Sequence, residues 1–274
     1  MALVPFPGSQ STALEIPPDD DEDVGPGGRM SFLEHLEELR IRIIRACLGV
    51  LLGIVLCVYW IQDIVQFLLE PARRVLPEGA ALVANQPGEG FSVSVVVSLI
   101  AGCVLASPYI MWQVWKFIAP GLYSNEKRYA IPFVVMSTAG FLGGAAFNHY
   151  IAFPSLMAFF AGFTEWLDLL YLPTTRLVFG LYVKMLIGLG LVFQMPTVVF
   201  FLAKMNLVTA RFLISQFRHA FLIFVIVAAL ITPTSDPLNL AIFTAPMVVL
   251  YGFSICIAWA VSPARRGDDD SDAG

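Results

Sequence analysis

Charged residues are scarce in this 274-residue sequence. Only 14% of the residues are Asp, Glu, Lys or Arg, whereas 58% are hydrophobic and the mean hydropathy is +0.77. A soluble globular domain carries about 25% charged residues, so the composition excludes an ordinary water-soluble globule. It also excludes collagen-like, disulfide-rich and fully disordered chains. The few cysteines lie in apolar segments without a CxxC pair, and we interpret them as packing residues: Cys47, Cys57, Cys103 and Cys256.

Motifs for enzymatic chemistry and for nucleotide binding are also missing. The three histidines, His35, His149 and His219, are scattered and lack the spacing of metal ligands. The sequence contains no GxxxxGKS or GxxxxGKT phosphate-binding loop, no HExxH helix and no GxSG nucleophile motif. We therefore expect no catalytic activity, no metal, no cofactor and no nucleic-acid partner.

Many of the acidic residues are concentrated in two tails. Residues 1–28 contain six acids and no Lys or Arg, and residues 267–274 contain four acids and no base. The part between them keeps 11 acids and 16 bases, a net charge of +5. We predict a disordered acidic N-terminal tail (1–28), a six-helix transmembrane domain (29–262) and an acidic cytoplasmic C-terminal tail (263–274).

Long apolar runs dominate the part between the tails and predict an all-α integral membrane protein. A helix rises 1.5 Å per residue and the hydrocarbon core is about 30 Å thick, so a span needs about 20 residues. The fifth run has only 12 residues, so it crosses only if it extends or if the bilayer thins. The six predicted spans are residues 43–61, 91–118, 130–160, 177–203, 220–231 and 238–261.

The positions of Lys and Arg predict the orientation of these spans. With the N-terminus inside, the inner segments contain 12 of the 16 bases, whereas the outer segments contain Arg73, Arg74 and Arg176. This bias follows the positive-inside rule of membrane proteins. We therefore expect both termini in the cytoplasm and an even number of spans.

Prolines and glycines within the spans predict bends and close packing. Proline removes a helical hydrogen bond and kinks the helix. Gly140 and Gly144 form a small-xxx-small pair that lets two helices approach closely. The prolines expected to bend the spans are Pro108, Pro154, Pro196 and Pro246.

Three glutamates, Glu34, Glu37 and Glu38, lie within five residues in the inner segment before the first span. Glu38 precedes Arg42 by four residues, which is the order and spacing that favour an ion pair on one helix face. Two interpretations stay open. The acids form a solvated face that pairs with the chain's own arginines, which the local sequence favours, or they receive an incoming cationic peptide.

The second inner segment contains Glu126, the only acid between Glu89 and Glu165. Asn125 can cap the helix that follows, and a carboxylate in a first turn suits the helix dipole. A capping role and a functional role at the membrane boundary both fit this position.

Both inner segments share their pattern with one known family, in the motifs Phe32-x-x-His35-Leu36-x-Glu38-Leu39-Arg40-x-Arg42 and Phe117-Ile-Ala-Pro-Gly-Leu-Tyr-x-x-Glu126-Lys127. They resemble TatC, the multi-spanning receptor of the twin-arginine protein translocase. Further collinear matches extend the resemblance over residues 31–261: Pro71, Leu76-Pro-x-Gly79, Phe147 to Pro154, Phe193-x-x-Pro196 and Thr232-Pro-x-x-Asp236-Pro.

The resemblance implies a non-enzymatic receptor in a bacterial-type inner membrane, with six helices, both termini inside, and short fifth and sixth helices. Such a receptor binds the Arg-Arg signal peptides of folded cargo proteins. It assembles with TatA-like and TatB-like single-span proteins into homo- and hetero-oligomers, and export uses the proton motive force. The residues assigned to the signal-peptide site are Glu38, Glu126, Phe117, Leu36 and Arg40.

Three further matched positions, Pro71, Gln194 and Asp236, are predicted to contact the partner subunits. Gln194 departs from the family pattern, which usually has glutamate there. The amide still forms hydrogen bonds but carries no charge and has no protonation role. The alternative function is a multi-pass transporter of small molecules or ions, which usually shows internal repeats and midplane charges. We find no convincing repeat in the sequence.

Overall fold

The computed structural model describes residues 32–76, 82–119, 130–232 and 236–261. These ranges are helical almost throughout, which confirms the predicted all-α membrane architecture. A π-helical turn, Asn148–Ala152, joins the fourth and fifth helices. The helices are α1 (Phe32–Val58), α2 (Ile61–Val75), α3 (Glu89–Ile118), α4 (Ala130–Phe147), α5 (Phe153–Trp166), α6 (Thr175–Val192), α7 (Met195–Lys204), α8 (Ala210–Ser215), α9 (Phe217–Ile231) and α10 (Pro237–Val261).

Five helical stretches in the described ranges are long and apolar enough to cross a membrane. They overlap the first, second, third, fourth and sixth predicted spans, and the first begins at Leu33 rather than at residue 43. The stretches are Leu33–Val58, Glu89–Ile118, Ala130–Trp166, Thr175–Lys204 and Pro237–Val261.

The last two predicted spans differ in length. α9 corresponds to the fifth span and has 15 residues, about 22 Å, so the prediction of a short fifth helix is confirmed. The prediction of a short sixth helix is wrong, because α10 has 25 residues, about 37 Å. Its apolar run continues through Pro246, which lies inside the helix without ending it.

Glycine sets the distance between α1 and α3, which pack against each other along their length. A Cβ on Gly53 would lie 2.6 Å from the carbonyl oxygen of Gly102, and a Cβ on Gly102 would lie 2.7 Å from the backbone nitrogen of Ile54. Closer to the start of α1, Gly49 lies against the ring of Tyr109. The pairing is therefore antiparallel, and it brings the N-terminal end of α1 to the C-terminal end of α3.

The predicted close approach at the third span is also confirmed. A Cβ on Gly140 would lie 2.7 Å from the carbonyl oxygen of Phe193, and one on Gly144 would lie 2.9 Å from that of Leu189. Both glycines are on α4, and they let α4 pack directly on the backbone at the C-terminal end of α6.

Two of the prolines change the helices in different ways. Pro154 lies just after the π-helical turn, where the Phe153 N–H donates to the Asn148 carbonyl five residues earlier. The helical turn at this point therefore contains one extra residue, and the third span continues without a break. Pro196 lies in the first turn of α7, where its missing N–H is tolerated. The fourth span divides there into α6 and α7, with Gln194 at the break.

α2 is an amphipathic helix of 15 residues that the sequence did not predict. Leu68, Leu69 and Ala72 on one face are buried, whereas Arg73 and Arg74 lie in its last turn. Its many charged residues keep its mean hydropathy low, so an apolar-run criterion does not detect it. The helix packs on α5 and α3 at the end of the bundle where α3 begins.

Glu89, the first residue of α3, connects two loops at that same end. One carboxylate oxygen accepts the N–H of Arg176 at 2.7 Å, and the other accepts the N–H of Asn85 at 2.8 Å. The N–H of Thr175 donates to the Val83 carbonyl at 3.0 Å. We call this arrangement the Glu89 clasp. The carboxylate is buried at the N-terminus of α6, where the helix dipole favours negative charge.

Candidate functional site

His35 on α1 and Phe117 on α3 stack at the end of the bundle opposite to the Glu89 clasp. Their ring centroids lie 4.4 Å apart, with an angle of 20° between the ring planes. Both side chains are half-buried. The antiparallel pairing of α1 and α3 brings these residues together, one from each of the two matched motifs. Stacked aromatic pairs contribute about 0.5–1.5 kcal/mol beyond the area they bury.

Glu38 lies one helical turn from His35 and pairs with Arg42. An Nη of Arg42 donates to Oε1 of Glu38 at 2.9 Å, which confirms the predicted ion pair four residues apart. The side chains of Glu38 and Arg42 are only 16% and 19% exposed. Oε2 of Glu38 and Nε of Arg42 are buried and have no hydrogen-bond partner among the described residues. Oε2 of the Glu38 carboxylate therefore remains available to accept a hydrogen bond.

Leu36 and Arg40 lie on a different face of α1. With 3.6 residues per turn they are displaced by roughly 100–140° from His35, and both side chains are exposed. Glu38 is three residues from His35 and therefore lies closer to the side of α1 that carries the stack, whereas Leu36 and Arg40 do not. Glu126, the second predicted site glutamate, lies outside the described residues.

Gln194 lies at the break between α6 and α7, where it is half-buried. Its side-chain Nε2 donates to the backbone carbonyl of Ser137 on α4 at 2.9 Å. A glutamate at this position would present a carboxylate to that carbonyl in place of a donor. The amide therefore has a structural role within the chain, which the sequence alone did not indicate.

Pro71 and Asp236 also have internal roles. Pro71 is buried within α2. The carboxylate of Asp236 accepts the N–H of Asn239 at 2.9 Å and that of Leu238 at 3.1 Å, so it caps the start of α10. Their predicted contact with partner subunits stays a prediction.

The sequence analysis did not predict the His35–Phe117 stack, although both residues lie in the matched motifs. The sequence did contain evidence for this contact, because the two residues are predicted near the same membrane boundary on two consecutive antiparallel spans. The register that joins them depends on the Gly53–Gly102 crossing, which no local pattern specifies.

These observations define a multi-pass, all-helical membrane protein. At one end of its bundle it carries an aromatic stack and a carboxylate with one oxygen paired and one oxygen without a partner among the described residues. Comparison with known proteins identifies the family within this class. The family model TatC, described as Sec-independent protein translocase protein, matches residues 34–246. The chain belongs to the TatC family.

Individual relatives and structures agree with this family. The TatC protein of Koribacter versatilis (strain Ellin345) is 40% identical over 240 residues, which cover 86% of this chain and 88% of the relative. That of Helicobacter pylori (strain J99 / ATCC 700824) is 35% identical, with 86% and 92% covered. A crystal structure of a twin-arginine translocase receptor, TatC, is 31% identical with a TM-score of 0.69, and covers 82% of this chain and 98% of that one. A second, in DDM, has a TM-score of 0.71, 31% identity and covers 82% and 99%.

Membership in this family assigns the chain to protein translocation, in the membrane complex of the twin-arginine system. The alternative of a small-molecule or ion transporter receives no support from any of these matches.

Proposed function

We propose that this protein is the receptor that captures the Arg-Arg signal peptide of folded cargo, and that Glu38 binds one of the two arginines. The observation that carries the proposal is the state of the Glu38 carboxylate. It is 16% exposed, and its Oε2 is buried without a partner among the described residues. A buried acceptor left unpaired costs free energy, so an incoming N–H donor gains more there than at an exposed carboxylate.

The chemistry of guanidinium suits this position. Its planar fork offers several N–H donors and forms charge-assisted hydrogen bonds to carboxylates with defined geometry, whereas the lysine ammonium is a compact point charge. A partly desolvated pair of this kind contributes about 1–3 kcal/mol. Glu126, which is predicted at the same membrane boundary, takes the second arginine in this proposal.

The His35–Phe117 stack lies about one helical turn from Glu38 along α1. Guanidinium groups stack favourably on aromatic faces, with about 0.5–1 kcal/mol at exposed sites and more when desolvated. The motif aromatic Phe117 therefore supports the same arginine that Glu38 binds. Leu36 and Arg40, on another face of α1, contact a different part of the signal peptide or a partner subunit in this proposal.

We place Glu38 at the cytoplasmic face of a bacterial-type inner membrane, with both termini inside. The support is the positive-inside bias of the sequence, which puts α1 and the end of α3 where a cytoplasmic signal peptide arrives. The transmembrane domain comprises residues 29–262, between two acidic tails. The protein acts as a non-enzymatic scaffold in homo- and hetero-oligomers.

We propose that TatA-like and TatB-like single-span proteins bind at the lipid-facing side of the bundle. An apolar groove of about 520 Å³ lies between α4, α7 and α10, lined by Met136, Phe193, Phe200 and Phe253 among others. Gln194 is adjacent, because a Cβ on Gly140 in this groove would lie 3.9 Å from its Nε2. A single apolar helix with one polar group matches this surface. Pro71 and Asp236 remain predicted partner contacts.

The test of the receptor proposal compares two neighbouring glutamates. Glu38→Gln removes the carboxylate that has one oxygen available, and Glu37→Gln removes an equal charge from an exposed position on the same helix. Photocrosslinking of an Arg-Arg signal peptide to full-length protein in membranes measures capture. We expect about a tenfold loss for Glu38→Gln, which corresponds to ~1.4 kcal/mol, and little change for Glu37→Gln. Equal capture by both variants would contradict the proposal.

A signal peptide with Lys-Lys in place of Arg-Arg supplies the second comparison. The wild-type protein should capture it weakly, and Glu38→Gln should reduce that weak capture only slightly, because the geometry of the guanidinium fork is already lost. If the wild-type protein holds both peptides equally well, the site does not recognise arginine.

A further inference from the structure

A second apolar groove, of about 500 Å³, opens between α1 and α3. The α1 side is lined by Leu48, Leu52 and Leu56, and Tyr109 lies on the α3 side. These leucines are 49–62% exposed, so nothing in the described part of the chain covers them. Among the described residues that line the groove, Arg45 is the only charged one. We call it the α1–α3 groove.

The groove has the dimensions of one bilayer leaflet. Gly49 and Gly53 line it as well, at the positions where α1 packs directly on Tyr109 and Gly102 of α3. From Arg45 to Leu56 the helix rises about 16 Å, which is about half of the 30 Å hydrocarbon core. The guanidinium of Arg45 therefore lies at one end of an apolar groove whose length matches one acyl chain.

The charge of the groove favours an anion. Arg45 is exposed and forms no ion pair with any described residue. A guanidinium at the membrane boundary binds phosphate oxygens through charge-assisted hydrogen bonds. It repels the arginines of a signal peptide, which would lie close to it if the apolar part of that peptide entered the groove. The charge of Arg45 therefore favours an anionic phospholipid over the apolar part of a signal peptide as the occupant of the groove.

We infer that the α1–α3 groove holds one anionic phospholipid. Its headgroup phosphate lies on Arg45, and an acyl chain follows the leucines of α1. The inference does not depend on signal-peptide binding, because Glu38 lies two helical turns away from Arg45 along α1. A lipid held there covers the exposed leucines of α1 beside the α1–α3 crossing.

Native mass spectrometry of the full-length protein in mild detergent tests the headgroup contact. The probes are phosphatidylglycerol and phosphatidylcholine with identical acyl chains. One basic residue near anionic lipid accounts for a preference of about fivefold for phosphatidylglycerol, and we expect this preference in the wild-type protein. Arg45→Gln should abolish it. The matched control Arg40→Gln, an equal charge change at an exposed position on α1, should retain it.

Two tryptophan substitutions test the apolar part of the groove. Leu52→Trp and, independently, Leu48→Trp fill the groove from its exposed wall and should reduce the retention of both lipids severalfold. Thermal unfolding in detergent identifies whichever variant keeps its fold. Equal lipid preference in Arg45→Gln and Arg40→Gln, or unchanged retention in a folded tryptophan variant, would overturn the inference. Crosslinking of a signal peptide at Leu52 that displaces lipid would assign the groove to the peptide instead.

Discussion

Arg42 occupies one oxygen of the Glu38 carboxylate at 2.9 Å and leaves the other oxygen buried without a partner among the described residues. The two interpretations of this acidic segment therefore no longer exclude each other. The chain's own arginine pairs with Glu38, and the same pairing holds the carboxylate in place with one acceptor available. An incoming guanidinium needs only the second oxygen.

Arg42→Gln should strengthen the capture of an Arg-Arg signal peptide. The variant removes a positive charge close to the oxygen that the peptide approaches, and like charges at such distances repel by about 1 kcal/mol or more. We expect roughly fivefold tighter capture at low salt, with a smaller gain at high salt because of screening. Titration of a fluorescent signal peptide against the reconstituted protein measures this. Weaker capture would mean that Arg42 acts mainly by orienting Glu38.

Phe117→Ala should weaken capture, whereas Phe117→Trp should preserve most of it. The alanine variant removes the stack on His35 and the aromatic face that supports a guanidinium, together worth about 1–2 kcal/mol. Crosslinking yields at several peptide concentrations give the change in affinity. Phe91→Ala is the matched control, since Phe91 is 78% exposed near the opposite end of the same helix. If both alanine variants behave alike, Phe117 has no special role in the site.

Gly53→Leu should destabilise the protein and disturb the site at a distance. A side chain at Gly53 meets the Gly102 backbone at 2.6 Å, and overpacking of this kind costs about 1–3 kcal/mol. Separation of α1 from α3 also shifts His35 away from Phe117, so capture falls as well. Gly252→Leu serves as control, because nothing lies within 4 Å of a Cβ there. Thermal unfolding and peptide capture are measured together, and a normal result in both would contradict the proposed role of the crossing.

Glu89→Gln should lower the thermal stability without affecting signal-peptide capture. The variant weakens the charge-assisted hydrogen bonds to the N–H groups of Arg176 and Asn85, and the clasp lies at the far end of α3 from Glu38. Glu165→Gln, at an exposed position on α5, controls for the loss of charge. A lower midpoint of thermal unfolding for Glu89→Gln alone supports the clasp. Loss of capture in a folded Glu89→Gln protein would show that the two ends of the bundle are coupled.

Local patterns predicted much of the fold. The apolar runs located the five long spans and the short α9, and the four-residue spacing predicted the Glu38–Arg42 pair. The glycine spacing predicted the close approach of α4. In each case the physical cause lies within a single helix or within one pattern of side-chain size and polarity.

Features that depend on distant residues could not be predicted in this way. α2 was missed because its charges dilute its hydropathy. The short sixth helix that the family resemblance implied was wrong, whereas the apolar run over residues 238–261 matched α10. The Glu89 clasp joins residues 87 positions apart. The hydrogen bond from Gln194 to Ser137 similarly connects two spans, and no local spacing specifies it.

A double-mutant cycle between Glu38 and the signal peptide tests the central claim most directly. Capture is measured for wild-type and Glu38→Gln protein, each with Arg-Arg and with singly substituted Lys-Arg and Arg-Lys peptides. Direct pairing predicts a coupling energy of about 1–3 kcal/mol with one of the two arginines. Coupling energies near zero for both arginines would show that Glu38 does not bind the twin-arginine motif.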